Sequence, residues 1–257
     1  MNISFFKCCT VLAACLAGPA VAPAAAQPVG LVAQPAVGPK LEAFPRLAGA
    51  DAASQRINQA LTKADARLLA AARECHADAR DSAAGPQDAE WQRSVSIAMQ
   101  GPGYIALVAA DSRYCGGPYP SADSFALAYD LRTGTPLNWE RLLPKALVQS
   151  ASLDTAGDGT SLGVVASPAL TQLYFKIANP DGECGPALRE IGLQFMLWPD
   201  ARREGVAIQP SGLPHVIAAC GTDAVIPLAT LRSVGADRGL LDAIAAGHQA
   251  PVHGPAR

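Results

Sequence analysis

The chain has little lysine and histidine, with five and four residues among 257, and no cluster of basic residues anywhere. Without such a cluster, nucleic acid and anionic membrane surfaces are not expected as partners. After the first two dozen residues no apolar run reaches the length of a membrane-spanning helix. There is no close cysteine pair of the C-x-x-C kind beyond them, so a structural zinc site is not expected. No G-x-S-x-G turn is present to display a nucleophilic serine. No cofactor motif occurs, and no cofactor or metal is expected. Abundant Ala, Gly and Pro beside scarce Lys point to a genome rich in G and C more than to a function.

What is present begins with MNISFFKCCTVLAACLAGPAVAPAAAQ. One cation, Lys7, precedes an apolar run that ends in small residues and Ala24-Ala25-Ala26. That pattern is a secretory signal peptide over residues 1–26, cleaved after Ala26. Leu12-Ala13-Ala14-Cys15 offers an alternative, a lipobox that would anchor the chain as a lipoprotein through Cys15. The expected location is the periplasm of a Gram-negative cell, or outside it. The remaining 231 residues carry 19 Lys+Arg against 22 Asp+Glu, a net charge of −3. This length suits one domain with a proper core, or two lobes.

Four cysteines remain after cleavage: Cys75, Cys115, Cys184 and Cys220. An even number in an exported chain reads as two disulfides, with three pairings open. Pairing along the chain, Cys75–Cys115 and Cys184–Cys220, closes two loops of similar size. Each would stabilise by roughly 4 kcal/mol in the chain-entropy picture.

Residues 27–41, rich in Pro, Gly and Ala, read as a flexible lead-in. From Asp51 to about Arg80, Ile57, Leu61, Leu68, Leu69 and Ala72 follow a helical period. Trp91, Arg93, Val95, Ile97 and Met99 alternate as in a half-buried strand. Tyr104–Ala110 suits a central strand, and Phe125, Leu127, Tyr129 and Leu131 alternate again. Short helices are expected over Trp139–Leu143 and after Ser167-Pro168, the latter from a cap followed by proline. Strands are expected over Ile191–Trp198, Gly205–Ile208 and Ala224–Ile226. Ser211–Cys220 reads as a short helix or turn, and a last helix spans Ala236–Ala246. One helix, then strands joined by tight turns, is an α+β order: an antiparallel sheet packed by helices and stapled by disulfides. The domain is placed at 42–246, with two lobes meeting near 145–165 as the other division and 247–257 as a disordered tail.

The densest local chemistry is YCGGPYP, residues 114–120. It reads first as a stapled corner and second as a binding surface, with Tyr114 and Tyr119 as candidate binding rings. His215 could serve as a base, although a packed or surface histidine beside Cys220 is the simpler reading. Asp154, Asp158 and Gly159 fit three positions of a calcium loop. Ala156 and Val165 stand where ligands are required, so a mobile loop is expected there. Asp130, Glu190 and Asp200 could supply a hydrolytic carboxylate pair; Asp130 more simply caps its own turn.

Arg56-Ile57-Asn58 on the first helix is followed by the Gly116-Gly117-Pro118-Tyr119-Pro120 corner, Tyr129-Asp130-Leu131-Arg132-Thr133-Gly134 and a Leu142-Leu143-Pro144 helix end. This order resembles the secreted domain family of unknown function found in the extracellular part of RsiV-like anti-sigma factors and beside peptidoglycan deacetylase domains. The resemblance covers about 42–235. Tyr119 stands where that family carries histidine, so no role of that histidine passes to this chain. The resemblance implies an exported recognition or scaffold module without catalysis, with a lysozyme-like protein as partner; the tyrosine faces of the corner suggest an envelope glycan as the other partner. The alternative is a hydrolase acting on envelope polymers.

Overall fold

The structure, a computed structural model, describes residues 28–80, 89–180 and 182–250. The expected signal peptide, Cys15 and residues 251–257 of the expected tail lie outside the described residues.

The first long element is helix α1, Ala52–Arg80. Asp51 starts it by accepting from Ala53 N and Ser54 N, both at 2.9 Å, and from Ser54 Oγ at 2.6 Å. These bonds, Ser54's foremost, hold the Asp51 carboxyl below its ordinary value. Ile57, Leu61, Ala64, Leu68, Ala72, Cys75 and Ala79 form one buried stripe at steps of three and four, the spacing that keeps side chains on one helical face.

The expected flexible lead-in is corrected by the packing of residues 28–41. Strand β1, Leu31–Val32, pairs antiparallel with β2, Arg46–Leu47. Leu31, Leu41, Phe44 and Leu47 are buried. Helix α1 holds this segment through polar bonds as well. Asn58 accepts from Leu47 N at 2.8 Å and donates to Leu47 O at 3.0 Å. The buried Asp65 accepts from Phe44 N at 3.1 Å and from Arg46 Nη2 at 2.6 Å.

Strands β3 (Glu90–Gln100), β4 (Tyr104–Tyr114) and β5 (Ser121–Asp130) form an antiparallel sheet in chain order. Register sets Val95, Ala109 and Phe125 in one row and Ile97, Leu107 and Leu127 in the next. The turn after β5 closes on Asp130, which accepts from Arg132 N at 2.8 Å, as expected of a residue that caps its own turn. Gly134 lies at φ +71°, and a Cβ there would fall 2.5–3.0 Å from the Ala53 backbone. The glycine of YDLRTG therefore lets this turn dock against the first turn of α1. Helix α2, Trp139–Leu142, follows.

The second sheet has order β10-β9-β8-β7-β6, every pairing antiparallel. Its strands are β6 (Ser150–Thr155), β7 (Ser161–Ala166), β8 (Gln194–Asp200), β9 (Gly205–Ser211) and β10 (Ala224–Pro227). The stretch expected as a mobile loop is thus the β6–β7 hairpin. Between β7 and β8 stand α3 (Pro168–Ala178) and α4 (Cys184–Arg189). Ser167 caps α3, its Oγ accepting from Leu170 N at 2.9 Å. A 3-10 helix, His215–Cys220, joins β9 to β10. Helices α5 (Leu228–Val234) and α6 (Arg238–Gln249) complete the described chain. Neither α4 nor α5 is expected from the sequence, and α6 carries residues 247–249 of the expected tail. Phe125 and Leu127 of the first sheet share one core with Val164, Phe195, Trp198 and Ile208 of the second.

Both disulfides pair along the chain, as expected. Cys75–Cys115 ties α1 to the end of β4, and Cys184–Cys220 ties α4 to the 3-10 helix. Among the described residues no helix is long and apolar enough to cross a membrane.

Two outcomes are expected. Cys115→Ala should lower the unfolding free energy by roughly 2–4 kcal/mol in denaturant titrations; an unchanged midpoint would count against the staple. Burial pushes the Tyr129 hydroxyl up to about 12, with Arg67 pulling weakly the other way. Its folded value lies above the ordinary value of 10.0, so the stability it contributes is complete below pH 10 and is lost as pH rises towards 12. Within that window the loss is at most about 1.4 kcal/mol for each step of one in pH. Melting curves across that window should fall less steeply for Tyr129→Phe than for the wild type.

Candidate functional site

The first sheet changes character at the end where β3 begins and β4 finishes. Beyond the apolar row of Val95, Ala109 and Phe125, the next row holds Arg93, Asp111 and Asp123. Arg93 and Asp111 are fully enclosed. Arg93 Nε donates to Asp111 Oδ1 at 2.6 Å, and Nη2 donates to Asp111 Oδ2. Nη2 also meets Asp158 Oδ2 at 2.8 Å, from the tip of the β6–β7 hairpin. The guanidinium packs 5.0 Å from the Phe125 ring centroid and 5.9 Å from that of Phe44. Burial works against the Arg93 charge, but the two carboxylates outweigh it and hold the group above its ordinary value. Burial likewise pushes the Asp111 carboxyl up, with Arg93 opposing.

One row further out, Arg113 packs over the Trp91 ring at 5.0 Å and donates to Asp123 Oδ1 at 2.7 Å. The hairpin presses directly on it. A Cβ on Gly157 would collide with the Arg113 guanidinium, so only glycine fits this approach without moving Arg113 off Asp123.

In front of these groups lies an open cleft of about 620 Å³. Its walls are the β4–β5 end with Arg113, Asp123 and Ser124, the hairpin with Asp154, and β9 running into the 3-10 helix with Gln209 and His215. Gln209 bridges two walls, donating to Ser124 Oγ at 3.0 Å and to Gly221 O at 3.1 Å. Asp154 accepts from Ser211 Oγ at 2.5 Å. Asp123 is neutralised by Arg113, whereas Asp154 has no ion-pair partner among the described residues. Behind the wall, the two carboxylates on Arg93 leave one further negative charge. The cleft is therefore electronegative.

Ser211, His215 and Asp154 line the same cleft, yet they do not form a nucleophilic relay. A relay needs the serine hydroxyl on the imidazole and the carboxylate behind it. Here the Ser211 proton goes directly to Asp154.

The sequence-predicted residues fall on different parts of this region. Tyr114 is half-buried at the end of β4, Tyr119 is 73% exposed, and neither lines the cleft; Ser121, just after the corner, does. His215 lines it, exposed at the head of the 3-10 helix that ends in Cys220. Asp154 and Asp158, the calcium-loop candidates, serve as a cleft wall and a buried ion-pair partner. Among the described residues no group of three or more His, Cys, Asp or Glu is arranged to hold a metal. Asp130 and Asp200 are bound to their own turns by Arg132 and Arg203, and with Glu190 they stand outside the cleft. Arg113, Asp123 and Gln209 do not stand out in the sequence. The one signal is Arg93, which occupies an apolar position in the alternation of β3. A cation on a buried face requires a carboxylate nearby.

No family model matches the chain, and no curated protein matches it. Among solved structures, the chain is similar to a member of the DUF3298 family from Bacteroides fragilis, with 12% identity and a TM-score of 0.43. The match covers 78% of this chain and 75% of that one. It is also similar to a DUF3298 family protein from Pseudomonas aeruginosa, with 14% identity, a TM-score of 0.35, and 60% of this chain and 67% of that one covered. DUF3298 is a family of unknown function.

The ion cluster sets an order of stabilities. Arg93→Met strands two buried carboxylates and should cost roughly 3–5 kcal/mol. Asp158→Asn leaves the Arg93–Asp111 pair intact and should cost less. It should also raise hydrogen exchange within 150–162 while the first sheet stays protected. The opposite order in denaturant titrations would remove the cluster from its central place.

Proposed function

We propose that this chain is an exported recognition protein of the cell envelope that holds an envelope glycan in the cleft without transforming it. The observation that carries this reading is the state of the cleft's polar groups. Asp123 is neutralised by Arg113, Gln209 is tied to Ser124 and Gly221, and Ser211 is committed to Asp154. A surface of positioned donors and acceptors suits the hydroxyls of a sugar, and preorganisation lowers the cost of binding. Tyr119, two residues ahead of the cleft-lining Ser121, supplies an exposed aromatic face of the kind that packs on sugar rings. The two disulfides support export, since such bonds persist in oxidising compartments.

A second reading, a lysozyme-like protein as ligand, follows from the resemblance to RsiV-like extracellular regions. The uncompensated Asp154 favours it, because a basic protein would be drawn to an electronegative cleft. A serine-relay hydrolase is disfavoured by the Ser211–Asp154 bond, and a hydrolase built on Asp130, Glu190 and Asp200 by their place outside the cleft.

Incubation of the mature protein with soluble peptidoglycan fragments and, separately, with lysozyme separates these readings. Retention of fragments of unchanged mass, weakened roughly tenfold or more by Asp154→Asn and also by Tyr119→Ala, is expected. Retention of lysozyme alone would move the assignment to the second reading. Shortened fragments, lost with Ser211→Ala, would make the protein a hydrolase.

A further inference from the structure

The two larger sheets have four edges; two of them are occupied and a third is short and ends in proline. On β3, Arg93 N donates to Lys40 O at 2.9 Å and Arg93 O accepts from Glu42 N at 3.2 Å. Val95 N donates to Glu42 Oε2 at 2.8 Å, and Gln100 O accepts from Val29 N at 3.2 Å. On β5, Ala128 O accepts from Leu137 N at 3.1 Å, and Ala126 N meets Met196 Sδ at 3.1 Å. Strand β10 has four residues, ends in Pro227 and runs straight into α5.

Strand β6 differs. It is the end strand of the five-stranded sheet, and five of its six residues are exposed. Leu153 is 79% exposed. The strand Ser-Ala-Ser-Leu-Asp-Thr contains no Lys, Arg, Pro or Gly and no bulge, and its one charge is Asp154 near its end. Ala156 N donates to Thr160 O at 2.8 Å in the same register, so the even-numbered residues of β6 face β7 and the odd-numbered ones face outward. Outward, Thr155 N is taken up by the Asp154 carboxylate at 2.8 Å. The backbone groups of Ala151 and Leu153 have no outward partner among the described residues.

We propose that β6 is a strand-addition edge whose occupant is a second copy of this chain, joined antiparallel about a two-fold axis at Ser152. The register follows from the groups that are free. In an antiparallel self-pair, outward residues must meet outward residues. Centring on Leu153 or Asp154 requires the Thr155 N–H that Asp154 already holds, and the latter also sets Asp154 against Asp154. Centring on Ala151 sets the exposed Leu153 against Gln149. Centring on Ser152 pairs Ala151 of each copy with Leu153 of the other, covers the exposed leucine and sets Asp154 opposite the neutral Ser150. Every backbone group used is free, and no like charges meet. A contact of one short strand buries less than the roughly 1,200 Å² of a standard interface, so the dimer is a weak, concentration-dependent one.

Sedimentation over a wide range of protein concentration tests the pairing. The wild type should pass from monomer to dimer. Ala151→Pro removes one outward N–H per copy without touching the bonds to β7, and should raise the dissociation constant roughly tenfold or more. Leu153→Lys should act in the same direction. Circular dichroism should be unchanged for both. At the axis, Ser152 faces Ser152 as a non-hydrogen-bonded pair with Cα atoms about 4.5 Å apart, within disulfide range. Ser152→Cys should therefore form a linked dimer on mild oxidation, far faster than Ser233→Cys on exposed α5. A wild type that stays monomeric, a dimer indifferent to Ala151→Pro and Leu153→Lys, or equal linkage by the two cysteine variants would each overturn the proposal.

Discussion

The burial of one guanidinium organises this molecule. Arg93 is enclosed between Phe44 and Phe125, and a cation so placed is tolerated only with carboxylates in direct contact. One is Asp111 on the neighbouring strand, fixed by sheet register. The other is Asp158, which arrives from a hairpin of the second sheet. The backbone of the same residue pairs with Lys40 and Glu42 in the N-terminal segment. Three other stretches of chain thus meet at one side chain and its backbone. Such a cluster adds little net stability compared with apolar packing, because desolvation offsets much of the attraction. What it sets is position: the hairpin can close over the sheet in the one place where Asp158 meets Arg93.

Position matters because the cleft is assembled from strands of two different sheets. Asp154 lies four residues before the clasp residue Asp158, and Gly157, beside it, presses on Arg113. Each of two walls is also stapled immediately behind its lining residues. Cys115 follows Arg113 by two residues, and Cys220 directly precedes Gly221 and Thr222. Cross-links placed there restrict the walls against opening, which is the behaviour wanted of a surface that recognises by fixed hydrogen-bond geometry.

These causes also explain what could be read from the chain alone. Helices α1, α3 and α6 carry their own signals, in the caps Asp51, Ser167 and Asp237 and in apolar stripes of helical period. Strands β3, β4 and β5 alternate or run apolar because one or both faces are buried. The β6–β7 hairpin is hidden because β6 is an exposed edge with almost no buried face, so nothing imposes alternation on it. The lead-in misleads because composition counts Pro, Gly and Ala, whereas its placement depends on two leucines, Leu31 and Leu41, and on backbone pairing. The cleft is out of reach for a different reason. Asp123, Asp154 and Gln209 belong to strands of two sheets, and no local pattern connects them.

The corner YCGGPYP joins both lines of argument. Its cysteine is bonded to α1, and the strand that follows opens with Ser121 at the cleft. The corner therefore fixes where β5 begins, and with it the row that carries Asp123. Tyr114 is half-buried within the sheet end, but Tyr119 takes no part in the core and leaves most of its ring in water. A large aromatic side chain so exposed gains little from folding. Tyr119 lies four residues beyond the stapled Cys115 and two before the cleft-lining Ser121, the placement that the recognition proposed for the cleft would use. Stapling and the proposed recognition are thus compatible uses of the same seven residues: Cys115 is the anchor, and Tyr119 is the ring left exposed to a ligand.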